Sequence, residues 1–305
     1  MHWYDREQRK LPWRGERDPY RILVSEVMLQ QTRVALVEER YGRFIRQFPT
    51  AARLARAREQ TVLAAWSGLG YYRRARALHA TAKEIAENGG FPRTAEALRE
   101  LPGVGRYTAA AVASIAFGEP VPVVDGNVKR VLSRVLGRKL SEQEYWTAAG
   151  ELLDHRRPGD FNQAMMELGA RVCLPGKPLC KNCPVARLCA MRGARPGKNK
   201  AHRRKAVLYY VLARKNGSVL LRQRPRESSL MPAMWELPEL DRPARKLPAF
   251  ELRHSITTTD YSVLVFAGCR TRPEGRWVSL RKVKRMALTG LAGKILRQAG
   301  TLQSE

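Results

Sequence analysis

Acidic side chains are scarce in this 305-residue chain: 28 Asp and Glu stand against 56 Lys and Arg, a formal charge of +28. That imbalance points to a polyanionic partner, of which nucleic acid is the usual one. A merely very soluble basic protein is the plainer alternative. Cysteine is rare, five in all, so a disulfide-stapled scaffold is not expected. No run approaches the roughly 18 uninterrupted apolar residues of a membrane span. Met1 to Asp5 offers none of the apolar stretch of a signal peptide. A cytoplasmic protein without membrane attachment is expected, nucleoid-associated in a bacterium or nuclear in a eukaryote.

What is present divides by pattern. Residues 1–190 read as mainly helical, with apolar residues at three- and four-residue intervals. Asp18-Pro19 reads as an N-cap followed by Pro in the first turn, opening a helix over 20–39. Further helices are expected over 58–67, 75–88, 94–100, 107–117, 128–136, 142–153 and 162–172. Residues 191–205 carry seven Lys or Arg and no acid. They read as a basic linker that either follows a phosphate backbone or is simply solvated. Residues 206–305 read as a second, α+β domain. It has strand-like runs at 206–212 and 261–267, an Asn216-Gly217 hairpin signal, and a closing helix near 289–298.

Four cysteines, Cys173, Cys180, Cys183 and Cys189, fall within seventeen residues at spacing C-x6-C-x2-C-x5-C. Four thiolates in one loop can surround a single compact centre, either a tetrahedral zinc or a 4Fe–4S cube. Zinc sites more often pair two CxxC units, and only one is present here. Lys177 and Lys181 lie inside the loop and would present charge to phosphate. Cys269 lies apart, in an apolar run, and reads as a buried free thiol.

Leu101-Pro-Gly-Val-Gly105 sits between two predicted helices. Gly103, Val104 and Gly105 would make a tight turn that leads backbone N–H groups and a positive helix end toward a phosphate. An ordinary turn is the alternative. About twenty residues on, an apolar run delivers Asp125 to a helix start, where it or Asn127 could be an N-cap and nothing more. Glu26 shares a predicted stripe with Ile22 and Leu29. A carboxyl on such an apolar edge resists ionisation and suits a general acid. Alternatively it is a surface Glu paired with Arg21 or Arg33.

These motifs occur together and in order: LPWR at 11–14, SEVMLQQT at 25–32, GLGYYRRAR at 68–76, LPGVGRYTA at 101–109, VVDGNVKRV at 123–131, FNQAMMELGA at 161–170 and the cysteine loop. In them the chain resembles the adenine DNA glycosylase (MutY) family of helix–hairpin–helix iron–sulfur glycosylases. Endonuclease III shares the hairpin, the Asp and the cysteines, but not SEVMLQQT with its Glu. The resemblance implies a helix–hairpin–helix glycosylase fold with a 4Fe–4S cluster on the four cysteines. It implies a monomer that acts on double-stranded DNA and removes adenine opposite 8-oxoguanine or guanine in base excision repair. Glu26 would protonate adenine at N7. Asp125, supported by Asn127, would stabilise the oxocarbenium ion. Tyr107 stands where strand-cutting relatives place a Schiff-base Lys, which implies a monofunctional enzyme.

By motif position Leu11, Trp13, Arg14 and Gln163 would line the adenine pocket. Tyr71 and Gln31 would lie near the lesion and the orphaned partner, assisted by Leu69 and Thr32; core packing is the alternative for one of Tyr71 and Tyr72. Residues 219–240 resemble the start of a Nudix-like domain without the Glu-rich helix that holds Mg²⁺. This domain is therefore expected to bind 8-oxoguanine rather than hydrolyse a diphosphate. Where family members carry Phe-Ser-His, this chain has Ile256-Thr257-Thr258, which leaves Thr257 as the hydroxyl candidate. Only about ten residues precede LPWR, so a shortened first helix is expected.

Overall fold

A computed structural model describes residues 1–192, 203–244, 247–256, 258–268 and 274–302. A six-residue helix, α1 (His2–Glu7), precedes LPWR. Helix α2 (Pro19–Leu29) starts as the sequence predicts. The Asp18 side chain accepts from the Tyr20 N–H, and Pro19 stands in the first turn, where its missing N–H goes unneeded. The helix ends ten residues earlier than predicted. The chain breaks at 30–33 and resumes as α3 (Val34–Gln47). At the break Gln31 has φ +52°, a left-handed angle that residues other than glycine rarely adopt. Helix propensity is blind to this break, because neither Gln nor Thr forbids a helix.

Two short helices follow, α4 (Ala51–Ala55) and α5 (Glu59–Ala65). Then come α6 (Arg73–Glu87), α7 (Ala95–Arg99), α8 (Arg106–Phe117), α9 (Gly126–Val135), α10 (Glu142–Glu151) and α11 (Pro158–Arg171). Helices α5 to α11 lie within four residues of their predicted bounds. Helices α1 and α4, each under two turns, are too short to carry a readable period.

The chain divides into two compact units, and the division falls inside α6: Met1–Arg56 with Ala77–Asn199, and Ala57–Arg76 with Lys200–Glu305. In the first unit α8 is the central helix. Its buried run Thr108–Ile115, rich in Ala, packs against α2, α7 and α11. The small side chains allow close approach. At Gly159 of α11 an added Cβ would lie 2.6 Å from the Ser114 carbonyl oxygen of α8. Helix α9 packs on α10 and α11.

The second unit contains β1 (Arg204–Leu212), β2 (Arg214–Lys215), β3 (Ser218–Gln223), β4 (Trp235–Glu236), β5 (Glu239–Leu240), β6 (Phe250–Ile256), β7 (Thr259–Ala267) and β8 (Arg276–Ser279). Helices α12 (Leu280–Val283) and α13 (Gly290–Gln298) close it. One sheet runs β5-β1-β7-β6, with β1 and β7 parallel. The other joins β2, β3 and β4, with β8 on β3. Asn216 and Gly217 turn β2 into β3 with φ +48° and +65°, the paired positive angles of a type I′ turn. Leu212, Val219, Leu221, Val263, Val265 and the inner face of α13 make the core of this α+β unit. Residues 193–202 of the basic stretch, with Thr257 and Cys269, lie outside the described residues. Among the described residues no helix is long and apolar enough to cross a membrane.

Candidate active site

A cleft of about 760 Å³ opens in the first unit between α2, the 101–105 hairpin, α9 and α11. Twelve residues singled out from sequence line it: Leu11, Trp13, Arg14, Glu26, Gln31, Thr32, Gly103, Gly105, Tyr107, Asp125, Asn127 and Gln163. The helix break at Gln31 is what turns Gln31 and Thr32 onto its wall. Val104 packs inward and is buried. Gly103 sits at φ +74°, and a Cβ on it would meet the Ala77 Cβ at 2.5 Å, so the turn requires glycine there. Gly105, the N-cap of α8, has ordinary angles and open space beside it.

Glu26 is 5% exposed and projects from the buried face of α2. Its partner is neither Arg21 nor Arg33. Arg21 pairs with Glu16 and Asp18, while the Tyr107 hydroxyl donates to Glu26 Oε2 at 2.6 Å. Burial raises the Glu26 pKa above the usual carboxylate range. The Tyr107 bond and the Arg14 charge oppose that rise, and the Asp125 charge adds to it. Burial and the neighbouring acids push the Tyr107 phenol well above its ordinary value, so it remains a donor. Met166 Sδ lies 3.3 Å from the same hydroxyl.

Asp125 is a helix cap and also lines the cleft. It is the N-cap of α9, with Oδ1 accepting from the Val128 N–H at 2.7 Å. Its second oxygen faces the cleft and accepts from Asn127 Nδ2 at 2.8 Å. The apolar run leading to it is pinned by buried Asn162 of α11, which accepts from the Val123 N–H and donates to the Val121 carbonyl. Arg130 donates to Asn127 Oδ1, to the Gly169 carbonyl and to the Cys173 carbonyl, at 2.7–2.8 Å each. A continuous hydrogen-bonded path thus joins the Asp125 carboxylate to the first cysteine of the loop. Gly169 makes room for it: an added Cβ would lie 2.5 Å from the Asn127 Cβ and 3.0 Å from its Cα. Gly169→Ala is expected to lower stability by about 1–3 kcal/mol, read as a fall in the thermal midpoint.

The four loop cysteines form no disulfide and line one small cavity with Arg134, Val172, Pro178 and Ala186. Among the described residues no three His, Cys, Asp or Glu side chains converge as a single ion requires. Four cysteines lining one cavity are the donor set of either a multi-iron cluster or a zinc. The surroundings favour bound thiolates: Arg134, 8% exposed, donates to Cys173 Sγ at 3.2 Å. Burial and the other three sulfurs raise the Cys183 thiol.

Leu69 and Tyr71 belong to the second unit. There Tyr72 is core, with its hydroxyl donating to the Leu288 carbonyl at 3.1 Å. Tyr71 is 50% exposed at φ +45°, with the Arg74 guanidinium over its ring. Leu69 is buried. In the first unit, sequence reasoning missed Arg9, Arg130, Met166 and Glu167. Arg130 lies within VVDGNVKRV and Met166 and Glu167 within FNQAMMELGA, but their importance comes from partners far along the chain.

The sequence profile of the HhH-GPD superfamily base excision DNA repair proteins matches residues 24–151. The human adenine DNA glycosylase is 51% identical over 209 residues, which are 63% of this chain and 38% of that protein. A thermostable thymine-DNA glycosylase of known structure is 31% identical, with a TM-score of 0.59 over 63% of this chain and 92% of that one. An endonuclease III seen in a non-covalent complex with DNA is 28% identical, with a TM-score of 0.53 over 58% and 85%. The chain belongs to the HhH-GPD superfamily of base excision DNA repair proteins. Within it the chain is most similar, among these relatives, to adenine DNA glycosylases, human and mouse among them. It spans well under half the length of the human relative.

Proposed function

We propose that the chain is a monofunctional DNA N-glycosylase that releases adenine mispaired with 8-oxoguanine or guanine. The observation that carries this is the cleft itself, lined by a buried carboxyl with a raised pKa, Glu26, and by Asp125, the N-cap of α9. Cleaving an N-glycosidic bond wants that pair: one acid to protonate the leaving base and one carboxylate to steady the cationic sugar. The target must leave the duplex to reach such a cleft. Leu11, Trp13, Arg14 and Gln163 then receive the base. Glu26 gives its proton to adenine N7, and Asp125 stabilises the oxocarbenium ion until water adds. Asn127 and Arg130 hold Asp125 in place. The adenine activity of the similar glycosylases supports the choice of base.

Cys173, Cys180, Cys183 and Cys189 would hold a 4Fe–4S cluster, whose contribution when bound is structural. It would brace the loop that presents Lys177 and Lys181 to phosphate. We assign lesion recognition to the second, Nudix-like unit, with its Tyr71, and separately assign Gln31 and Thr32 of the first unit's cleft to contacts with the duplex. Among its described residues there is no Glu-rich helix for Mg²⁺, and 250–256 is strand instead. The net charge of +28 supports duplex DNA as the partner.

The test is single-turnover base release by the iron-loaded protein on 8-oxoguanine:adenine and guanine:adenine duplexes. Free adenine and an intact abasic strand are expected. A preparation that releases no adenine from either duplex sinks the reading. Because the Tyr107 phenol forms no imine, borohydride should trap no protein–DNA adduct. Tyr107→Lys is expected to introduce such trapping; efficient trapping by the unaltered protein would count against a monofunctional enzyme.

A further inference from the structure

One buried acid at the cleft has no part in the chemistry above. Glu167 of α11 is 1% exposed, and its carboxylate is saturated. Arg9 donates from Nε at 2.7 Å, from Nη2 at 2.8 Å and from its backbone N–H at 3.2 Å. Arg14 Nη2 donates at 2.8 Å. Burial alone would raise the Glu167 pKa, but these hydrogen bonds and the two guanidinium charges outweigh it and hold the group ionised. The other terminal nitrogen of Arg14, Nη1, donates to Gln163 Oε1. A guanidinium has no acceptor, so it can only be met by the amide oxygen of Gln163. That turns the amide NH₂ of Gln163 away from Arg14 and leaves it as the donor available to the cleft.

Resting on the glycosylase reading, we propose that Glu167 is a positioning residue for base selection: it clamps Arg14, and Arg14 in turn presents Gln163 as a hydrogen-bond donor to an extruded base. A ring nitrogen that accepts, as adenine offers on its pairing edge, is matched. A ring N–H, as hypoxanthine offers there, is not, because two donors would face each other with water excluded.

The clamp has an electrostatic consequence. The groups acting on Glu26 are Tyr107 from α8, Arg14 from the segment after α1, and Asp125 from the start of α9. Glu167 balances the Arg14 charge in that set. Without it Arg14 draws Glu26 toward the ionised form, and the protonated general acid survives only to lower pH.

The experiment compares adenine with hypoxanthine opposite 8-oxoguanine, in single turnover from pH 5 to 9, for wild type, Glu167→Gln and Glu167→Asp. Iron content and thermal midpoint are measured for each. Glu167→Gln is expected to slow adenine release roughly 10- to 100-fold at neutral pH. Its preference for adenine should fall about tenfold, and the basic limb of its pH profile should move to lower pH. Glu167→Asp retains the charge but loses reach. It should keep the wild-type limb while losing part of the preference, and it carries the test if Glu167→Gln does not accumulate as loaded protein. On a Gln163→Ala background, Glu167→Gln should cost no further preference. An active wild type whose Glu167 variants discriminate as it does, or whose losses multiply with Gln163→Ala, overturns the clamp alone. A wild type that releases neither base overturns the glycosylase reading beneath it.

Discussion

Glu26→Gln is expected to slow adenine release by roughly 100- to 10,000-fold while leaving lesion-duplex affinity intact at fixed salt. The amide has the size of the acid and still accepts from Tyr107, so the wall of the cleft is preserved. What it lacks is a proton to give. The pH dependence follows from the direction of the shift. Burial raises the Glu26 pKa, so the wild-type rate should hold at low pH and fall as pH rises through that raised value. The residual rate of the variant should show no such limb. Stability runs the same way. A carboxyl with a raised folded pKa contributes fully below its unfolded value, about 4.3, and that contribution is lost as pH climbs through the folded value. Wild type should therefore lose stability relative to Glu26→Gln as pH rises from about 4.3 through the raised folded value, read from chemical denaturation at each pH. A variant that retains the wild-type rate and basic limb would remove Glu26 from the reaction.

Asp125→Asn is expected to cost roughly 100- to 1,000-fold in the chemical step, with α9 still in place. Asn caps a helix about as well as Asp, so the bond from the Val128 N–H survives. The charge facing the sugar does not. The new amide also faces Asn127 Nδ2 where a carboxylate oxygen accepted before, a loss of about 1 kcal/mol visible as a small drop in thermal midpoint. Asp125→Ala loses both cap and charge and should be clearly less stable. If Asp125→Ala is slow but Asp125→Asn runs near the wild-type rate, Asp125 is a cap alone.

These two acids were readable from the chain because each sits in a short, contiguous pattern. Glu26 lies on an apolar helical stripe, and Asp125 ends an apolar run at a helix start. The hairpin glycines and the cysteine spacing are local in the same sense. Asn216-Gly217 announced its turn for that reason too, since positive backbone angles at two successive residues admit few side chains.

Other features had no local signature. The break after Leu29 looks helical in composition, and the left-handed angle at Gln31 that places it on the cleft wall has no local signature. Tyr71 and Tyr72 are the same residue type side by side, yet one is core and the other is exposed with a strained backbone. Glu167 finds Arg9 across 158 positions and Arg14 across 153, and no period or motif records a meeting that distant. Chemistry carried by adjacent residues is written in their order along the chain. Orientation and charge balance arise where α11 closes on the N-terminal segment, because burial removes the water that would otherwise satisfy those groups.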